Sequence, residues 1–562
     1  MAARNSKRSA IIVSAAVMGS RVMGVVREQV FAFMFGASEL SDVFVAAFRI
    51  PNLLRDLFAE GALSTAFTAT FTKMWTKEGP EASWRLAQIV LSTLILVLGL
   101  ICLLGIAAAP WVVNLTSYGF HGDNEAKYWM CVSMTRLLFP FILFVSIAAL
   151  AMGMLNARHI FGLPASASTI FNIVSVVFGM LFAWLAEPNQ NWNHPRFGEP
   201  ALYGWCFGVL LGGLAQLAVQ LPALWGLGFR FKWKLNFADP ALRTVMMIMI
   251  PSVIAGSAVQ INVVVSGQFA SQVNGAVSWL YYAFRLVQLP IGIFGVAIAT
   301  VTLPAVARQH ALDDLTAFGR TVEEALRFGF YLTLPASVGL AVVAYPVIQL
   351  VYQHGNFTSA MTAQTALALQ AYTISIAGYS GAKILVPCFY AMAPPRFGAA
   401  EKPGAWAGFI HFVRTVVLFT PARVSLTGIA LNLVLCFVLY DYLHLGHVGL
   451  ALTTGLIAVM NFLQLLYAIQ KKIAIGDPME WLFFFARVTV ATLVLGVIVF
   501  LGDHYLLATR TTHSLVGAAI LFVNIGVAGA AYFLVTVALR VPESMELVTF
   551  VRRKFGRGSV TR

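Results

Sequence analysis

Charge is what this chain has least of. Only 11% of its 562 residues are Asp, Glu, Lys or Arg, against about 25% in a soluble domain. That excludes an ordinary water-soluble protein, which needs a charged surface. Acid is scarcer than base, with 23 carboxylates against 37 Lys and Arg. Cysteine is scarce too. Cys102, Cys131, Cys206, Cys388 and Cys436 all sit inside apolar runs and form no CxxC pair. A disulfide framework and a zinc site are therefore not expected, and the thiols read as small buried hydrophobes. No nucleotide-binding motif is found, so any work would draw on ions, membrane potential or a substrate gradient.

What the chain does have is apolar length. It is 59% hydrophobic with mean hydropathy +0.81, which defines an all-α polytopic membrane protein. The N-terminal run "IIVSAAVMGSRVMGVV" continues past Arg21 and Arg27 to Phe35. That is too long for a signal peptide's apolar region, so it reads as an uncleaved first span. Fourteen spans are expected, centred near residues 22, 57, 98, 140, 172, 212, 256, 292, 332, 376, 431, 458, 491 and 527. With a cytoplasmic N-terminus, the inner loops collect Lys73, Lys77, Arg85, Arg158, Arg230, Lys232, Lys234, Arg308, Lys471 and Lys472, among others, and the outer loops only Lys127, Arg196 and Arg510. This is the positive-inside pattern, with both termini cytoplasmic, and it accounts for the basic balance without nucleic acid.

The chain also repeats itself. "AFR" occurs at Ala47–Arg49 and Ala283–Arg285, "LFAEGAL" from Leu57 answers "IFGVAIA" from Ile293, and Pro110 answers Pro346 in the same register. Asn172 answers Asn432 at a longer spacing, so an insertion has entered the second half. The expected organisation is two six-helix lobes in parallel pseudo-repeat plus two C-terminal helices. The lobes cover 1–228 and 229–475, with a cytoplasmic insertion at about 393–419, spans thirteen and fourteen in 476–540 and a basic tail at 541–562. The insertion segment "GAWAGFIHFVRTVVLF" is short for a span and has one apolar face, so it is expected to lie at the membrane interface.

Several charges fall inside spans. Arg21, Arg27 and Glu28 interrupt the first; Asp42, Arg49, Arg55, Asp56 and Glu60 the second, beside Pro51 and Asn52; Arg285 the eighth, on a polar stripe with Ser278, Tyr281, Tyr282 and Gln288. A mid-span arginine costs about 2.5–3.5 kcal/mol to insert, so these groups should face protein or a wet interior rather than lipid. One reading is structural, with Arg21–Glu28 and Arg49–Asp56 as internal ion pairs and Arg55 snorkelling. The other is functional. Over the set, positive charge exceeds negative and comes from spans one, two and eight, that is, from both halves, and a guanidinium fork suits an anionic, phosphate-bearing substrate.

These residues also carry a resemblance. "SRVMGVVRE", "FGASELSDVFVAAFRIPNLLRDLFAEGALSTAF", "SWLYYAFRLVQLPIGIFGVAIATVTLP" and "ILVPCFYA…TPARVSL" resemble the signatures of the MurJ/MviN family, bacterial lipid II flippases of the multidrug/oligosaccharidyl-lipid/polysaccharide exporter superfamily. The resemblance implies a transporter rather than an enzyme, in the bacterial inner membrane. It would move the undecaprenyl-pyrophosphate-linked peptidoglycan precursor between leaflets by alternating access through a central cationic cavity. It also implies a lipid-facing groove made by the last two helices. It carries substrate binding onto Arg21, Arg27, Arg55, Arg285 and Arg49, and polar or gating roles onto Glu28, Asp42, Asn52, Glu60 and Ser278. No metal or cofactor is expected, the coupling ion is left open, and the partners expected are lipid II and membrane lipids, with the chain a monomer. The alternatives are a flippase for another polyprenyl-linked saccharide, an ion-coupled drug exporter, or a membrane lipid-phosphosugar enzyme. The chain departs from the family pattern at Phe284, where an acid often stands, and around Asn432, where no carboxylate precedes Asp441.

Overall fold

A computed structural model describes residues 2–55, 64–121, 125–188, 195–392, 420–507 and 515–556. The expected insertion at 393–419 and Glu60 lie outside them. The described residues form helices and connections, with no strand among them. Two compact units emerge. One holds Met1–Ser278 and His354–Thr358; the other holds Trp279–Gln353, Ser359–Pro394 and the chain from Val417 onward.

The first unit contains α1 (Ala2–Phe35), α2 (Glu39–Arg55), α3 (Ser64–Lys77), α4 (Pro80–Ala107), α5 (Ala109–Ser117), α6 (Glu125–Leu138), α7 (Phe141–Ala157), α8 (Gly162–Ala186), α9 (Glu199–Ala218), α10 (Leu221–Gly226) and α11 (Pro240–Ala270). α12 (Ala276–Pro290) starts there and runs on into the second unit. That unit continues through α13 (Ala297–Ala311), α14 (Leu315–Val342), α15 (Ala344–Tyr352), α16 (Ser359–Tyr372), α17 (Ile374–Ala391), α18 (Thr420–Cys436), α19 (Gly446–Gln470), α20 (Pro478–Gly502), α21 (Leu515–Ala538) and α22 (Pro542–Gly556).

Eleven helical segments among the described residues are long and apolar enough to cross a membrane. Fourteen spans are expected from the sequence, and those centred near residues 22, 57 and 256 are not among the eleven. The first two carry most of the in-span charges. Helix breaks fall at matched places in the two halves. α4 gives way to α5 at Ala108 and α14 to α15 at Val343, each followed closely by Pro110 or Pro346. Asp-Pro pairs open α11 and α20: Asp239 and Asp477 accept from backbone N–H groups of the first turn, and the proline that follows stands where no N–H is needed. The compact units divide at Ser278, whereas the lobe boundary expected from the sequence is at residue 228. The physical reason is that α11 packs against α3, α4 and α5.

The tightest packing in the first unit is backbone on backbone. Gly204, Gly208 and Gly212 of α9 lie one turn apart and meet Ala183, Gly179 and Ser175 of α8 in antiparallel order. A Cβ at Gly208 would collide with the Gly179 backbone nitrogen. Small residues every fourth position are how membrane helices approach closely, because dispersion replaces the hydrophobic effect there. Gly208→Leu is therefore expected to cost about 3 kcal/mol or more, the upper range for overpacking. Size-exclusion profiles of detergent-solubilised membranes should show loss of the monodisperse peak. Gly226→Ala, with nothing within 4 Å of its added carbon, should leave the peak intact.

In the second unit, Phe330 of α14 packs on Phe462 of α19 and Phe485 of α20 at ring-centroid distances of 5.3 and 5.5 Å. Gly378 and Gly381 of α17 lie against the α19 backbone at Ala458 and against the Phe462 ring. Arg327 ties three elements of this unit together. Its Nε donates to Glu543 of α22 at 2.8 Å, and its guanidinium lies 3.4 Å from Glu323 of α14 and 3.7 Å from Glu480 of α20.

Candidate functional site

The first-unit charges gather on α1 and α2. Arg27 lies 3.8 Å from the Glu28 carboxylate and 5.2 Å from the Phe171 ring of α8. Glu28 is buried, whereas Arg21 is exposed. The expected Arg21–Glu28 pair thus gives way to Arg27–Glu28. A seven-residue separation is about 10 Å of helix rise, too far for a direct bond. Asn172 holds α8 on α1 by donating to Ser20 O at 3.2 Å.

On α2, Arg49 is half-buried and its guanidinium lies against α11: a Cβ at Gly267 would come within 2.5 Å of Arg49 Nη1. The residue it was expected to pair with, Asp56, lies outside the described residues. Pro51 is buried within α2, and Arg55 ends the helix, half-buried. Between them, the Asn52 side-chain oxygen is buried with no hydrogen-bond partner.

At the other end of α2 the geometry is closed. Asp42 is fully buried and accepts four hydrogen bonds: from Lys127 Nζ at 3.2 Å, Gly275 N at 2.6 Å, Ser278 N at 2.9 Å and Ser278 Oγ at 2.8 Å. The carboxylate therefore caps the start of α12 from another helix, satisfying N–H groups that a helix N-terminus leaves open. Lys127 also donates to Asn274 Oδ1 at 2.7 Å and lies 4.5 Å from the Phe120 ring centre. The structure thus brings Asp42 and Ser278 together. It also corrects the place of Lys127, expected among outer-loop charges but buried in α6 at 4% exposure. The signal for it in the sequence was weak: one lysine two residues into a run that turns apolar only at Tyr128.

In the second unit, Arg285 of α12 donates to Tyr281 Oη and Gln288 Oε1, both at 3.2 Å. Three members of the polar stripe read from the sequence, Tyr281, Arg285 and Gln288, are therefore bonded to one another, whereas Ser278 turns to Asp42. Phe284, where an acid would suit the family pattern, packs between Tyr372 and Tyr379 with ring centroids 5.2 and 6.3 Å away. The same unit holds an apolar cleft of about 590 Å³ between α20 and α21, lined by Ile498, Val516, Ile520, Val523 and Val527. Asn524 also lines it, its amide turned to Val499 O at 3.0 Å. Among the described residues no group of three or more His, Cys, Asp and Glu could hold a metal ion.

Comparison with known proteins places the chain in a family. The family model described as lipid II flippase MurJ matches residues 31–397 and 417–522. The interruption falls within the segment read as an insertion. A lipid II flippase MurJ from Burkholderia cenocepacia is 32% identical over 88% of this chain and 89% of its own length. A solved structure of lipid II flippase MurJ in an inward closed conformation shares the fold, with TM-score 0.72 and 21% identity, covering 94% of this chain and 99% of that one. A MATE family multidrug transporter of the MOP superfamily, in an inward-facing conformation, shares it at TM-score 0.62 and 11% identity, over 82% of this chain and 98% of that one. With the family model spanning most of its length, the chain belongs to the lipid II flippase MurJ family.

Proposed function

We propose that this chain is a lipid II flippase. It carries the undecaprenyl-pyrophosphate-linked peptidoglycan precursor from the cytoplasmic to the periplasmic leaflet of the bacterial inner membrane by alternating access. Family membership supports the transport class. The observation that carries the substrate chemistry is the set of arginines inside helices of an acid-poor chain: Arg21, Arg27, Arg49 and Arg55 on α1 and α2, and Arg285 on α12. A pyrophosphate needs positively charged, bidentate donors held away from bulk water. A cationic drug would need the reverse, which disfavours an exporter of such compounds.

The finer reading is fourteen spans in two six-helix lobes with both termini cytoplasmic. The matched breaks of α4–α5 and α14–α15 support the repeat, and the loop charges support the orientation. Arg21, Arg27, Arg49, Arg55 and Arg285 supply the guanidinium groups that bind the pyrophosphate. Glu28 and Asn52 orient the arginines, while Asp42 and Ser278 act at a gate. The apolar cleft between α20 and α21 suits the polyprenyl tail. The protein works as a monomer, without cofactor.

The test is reconstitution. Proteoliposomes holding the chain should expose lipid II to an outer-leaflet probe faster than empty vesicles do. A divalent-metal chelator should leave that rate unchanged. A rate equal to that of empty vesicles, together with failure to sustain a strain depleted of its own flippase, would reject the assignment. A metal-dependent chemical change in the lipid would favour an enzyme.

A further inference from the structure

The connection between α10 and α11 carries a pattern that transport does not use. Residues 229–237 read Phe-Arg-Phe-Lys-Trp-Lys-Leu-Asn-Phe, and 229–236 run outside any helix or turn. In extended chain, side chains alternate between two sides. Phe231, Trp233 and Leu235 therefore share one side, the rings of the first two 6.3 Å apart, and Arg230, Lys232 and Lys234 the other; Phe237 follows in a turn. Phe229 is buried, its ring 5.3 Å from Trp84. The four apolar residues that follow are exposed by 46, 54, 39 and 59%, and the three basic residues are exposed as well.

The segment is held in place on α4. Gln88 Nε2 donates to Arg230 O, and Lys234 N donates to Ser92 Oγ, both at 2.9 Å. Those anchors fix its depth. A helix needs about 20 residues to cross hydrocarbon. Counted back from Ala107, that stretch of α4 begins near Gln88, with the charged Glu81 and Arg85 before it. The segment therefore runs along the membrane boundary. Extended backbone cannot lie in the hydrocarbon itself, where its polar groups would go unmet, but the headgroup layer is wet. Aromatic rings and basic side chains both favour that layer, the basic ones where the lipids are anionic. Asp239, the acid that follows, is already engaged as the cap of α11 and lies 4.0 Å from Arg85.

We propose that residues 230–237 are an interfacial strap that binds anionic phospholipid, with Arg230, Lys232 and Lys234 on the headgroup phosphates and Phe231 and Trp233 among the upper acyl chains. The alternation and the depth set by α4 point to a lipid surface rather than to a protein or nucleic acid, neither of which requires aromatic side chains at that level. The proposal stands apart from flipping, because its readout is binding.

The test uses the full chain in nanodiscs. Phe231→Cys, Lys232→Cys, Trp233→Cys and Lys234→Cys are each labelled with an environment-sensitive fluorophore, and the unsubstituted chain, whose five cysteines are buried, gives the background. A spin label high on the acyl chain should quench labels at 231 and 233 severalfold more than those at 232 and 234, and aqueous iodide should show the opposite order. With the label at 233, spin-labelled phosphatidylglycerol should quench more than spin-labelled phosphatidylcholine. Lys232→Glu with Lys234→Glu should cut that preference by about fivefold per charge, and added inorganic phosphate should not. Uniform iodide quenching at all four positions would overturn the strap. Alternation without a phosphatidylglycerol preference, or a preference abolished by free phosphate, would overturn recognition of anionic lipid.

Discussion

Alanine at Arg27, Arg55 or Arg285 is expected to abolish growth of a strain depleted of its own lipid II flippase, while membrane abundance of each variant stays normal. A guanidinium binds a phosphate through two parallel hydrogen bonds, and removing one charged partner at a desolvated site costs about 2–5 kcal/mol. That is a loss of more than tenfold in transport at each position. Lysine should restore only part of it, because an ammonium is a point charge without the planar fork. Arg27 allows a sharper comparison, since it lies 3.8 Å from Glu28 and against Phe171. If Arg27 served only that pair, Glu28→Gln would harm the protein as much as Arg27→Ala. If it serves the substrate, Glu28→Gln is the milder change. Normal growth with Arg285→Ala would sink the assignment.

The second large effect is on stability. Asp42→Leu leaves Lys127 buried without its carboxylate, and breaking one side of a buried pair costs about 3–5 kcal/mol. Lys127→Leu should be comparably harmful, because it leaves the acid buried. The double variant should recover part of the loss, since two apolar side chains can replace a buried pair at little cost. Recovery stays incomplete because Gly275 N and Ser278 N lose their acceptor in every variant lacking Asp42. Thermal denaturation of the purified protein, read as a double-mutant cycle, checks this. Strict additivity of the two single losses would mean that the 3.2 Å contact carries no coupling.

The helices were legible in the sequence wherever an apolar run was long and uncharged, because hydrophobic length alone decides insertion. The charged first and second spans were legible as anomalies, and their arginines lie on α1 and α2 as expected. Partners were less legible. Glu28 was assigned to Arg21 by helical face, but two turns of rise separate them and Arg27 is the neighbour. Asp42 and Ser278 were each picked out for polarity inside an apolar segment. Nothing local says that residues so far apart in the chain bond to one another, because that follows from packing. Lys127 was misplaced for the same reason: a lysine at a helix start looks like a loop charge until its carboxylate is found. Phe284 was read as a missing acid, and its aromatic slot between Tyr372 and Tyr379 became visible only with the fold. The α8–α9 glycines look unremarkable in a glycine-rich chain, since their meaning lies in the neighbour they touch.

That seam also bears on how the gene can vary. Single-base changes in a glycine codon yield mainly bulky or charged amino acids, with alanine and serine the small exceptions. Where Gly204, Gly208 and Gly212 rest on the backbone and small side chains of α8, even alanine's methyl has no room. Nearly every amino-acid change one base away from these codons therefore removes the protein from the membrane. Three positions that carry no side chain at all should keep their amino acid in a growing population as strictly as those of the substrate site.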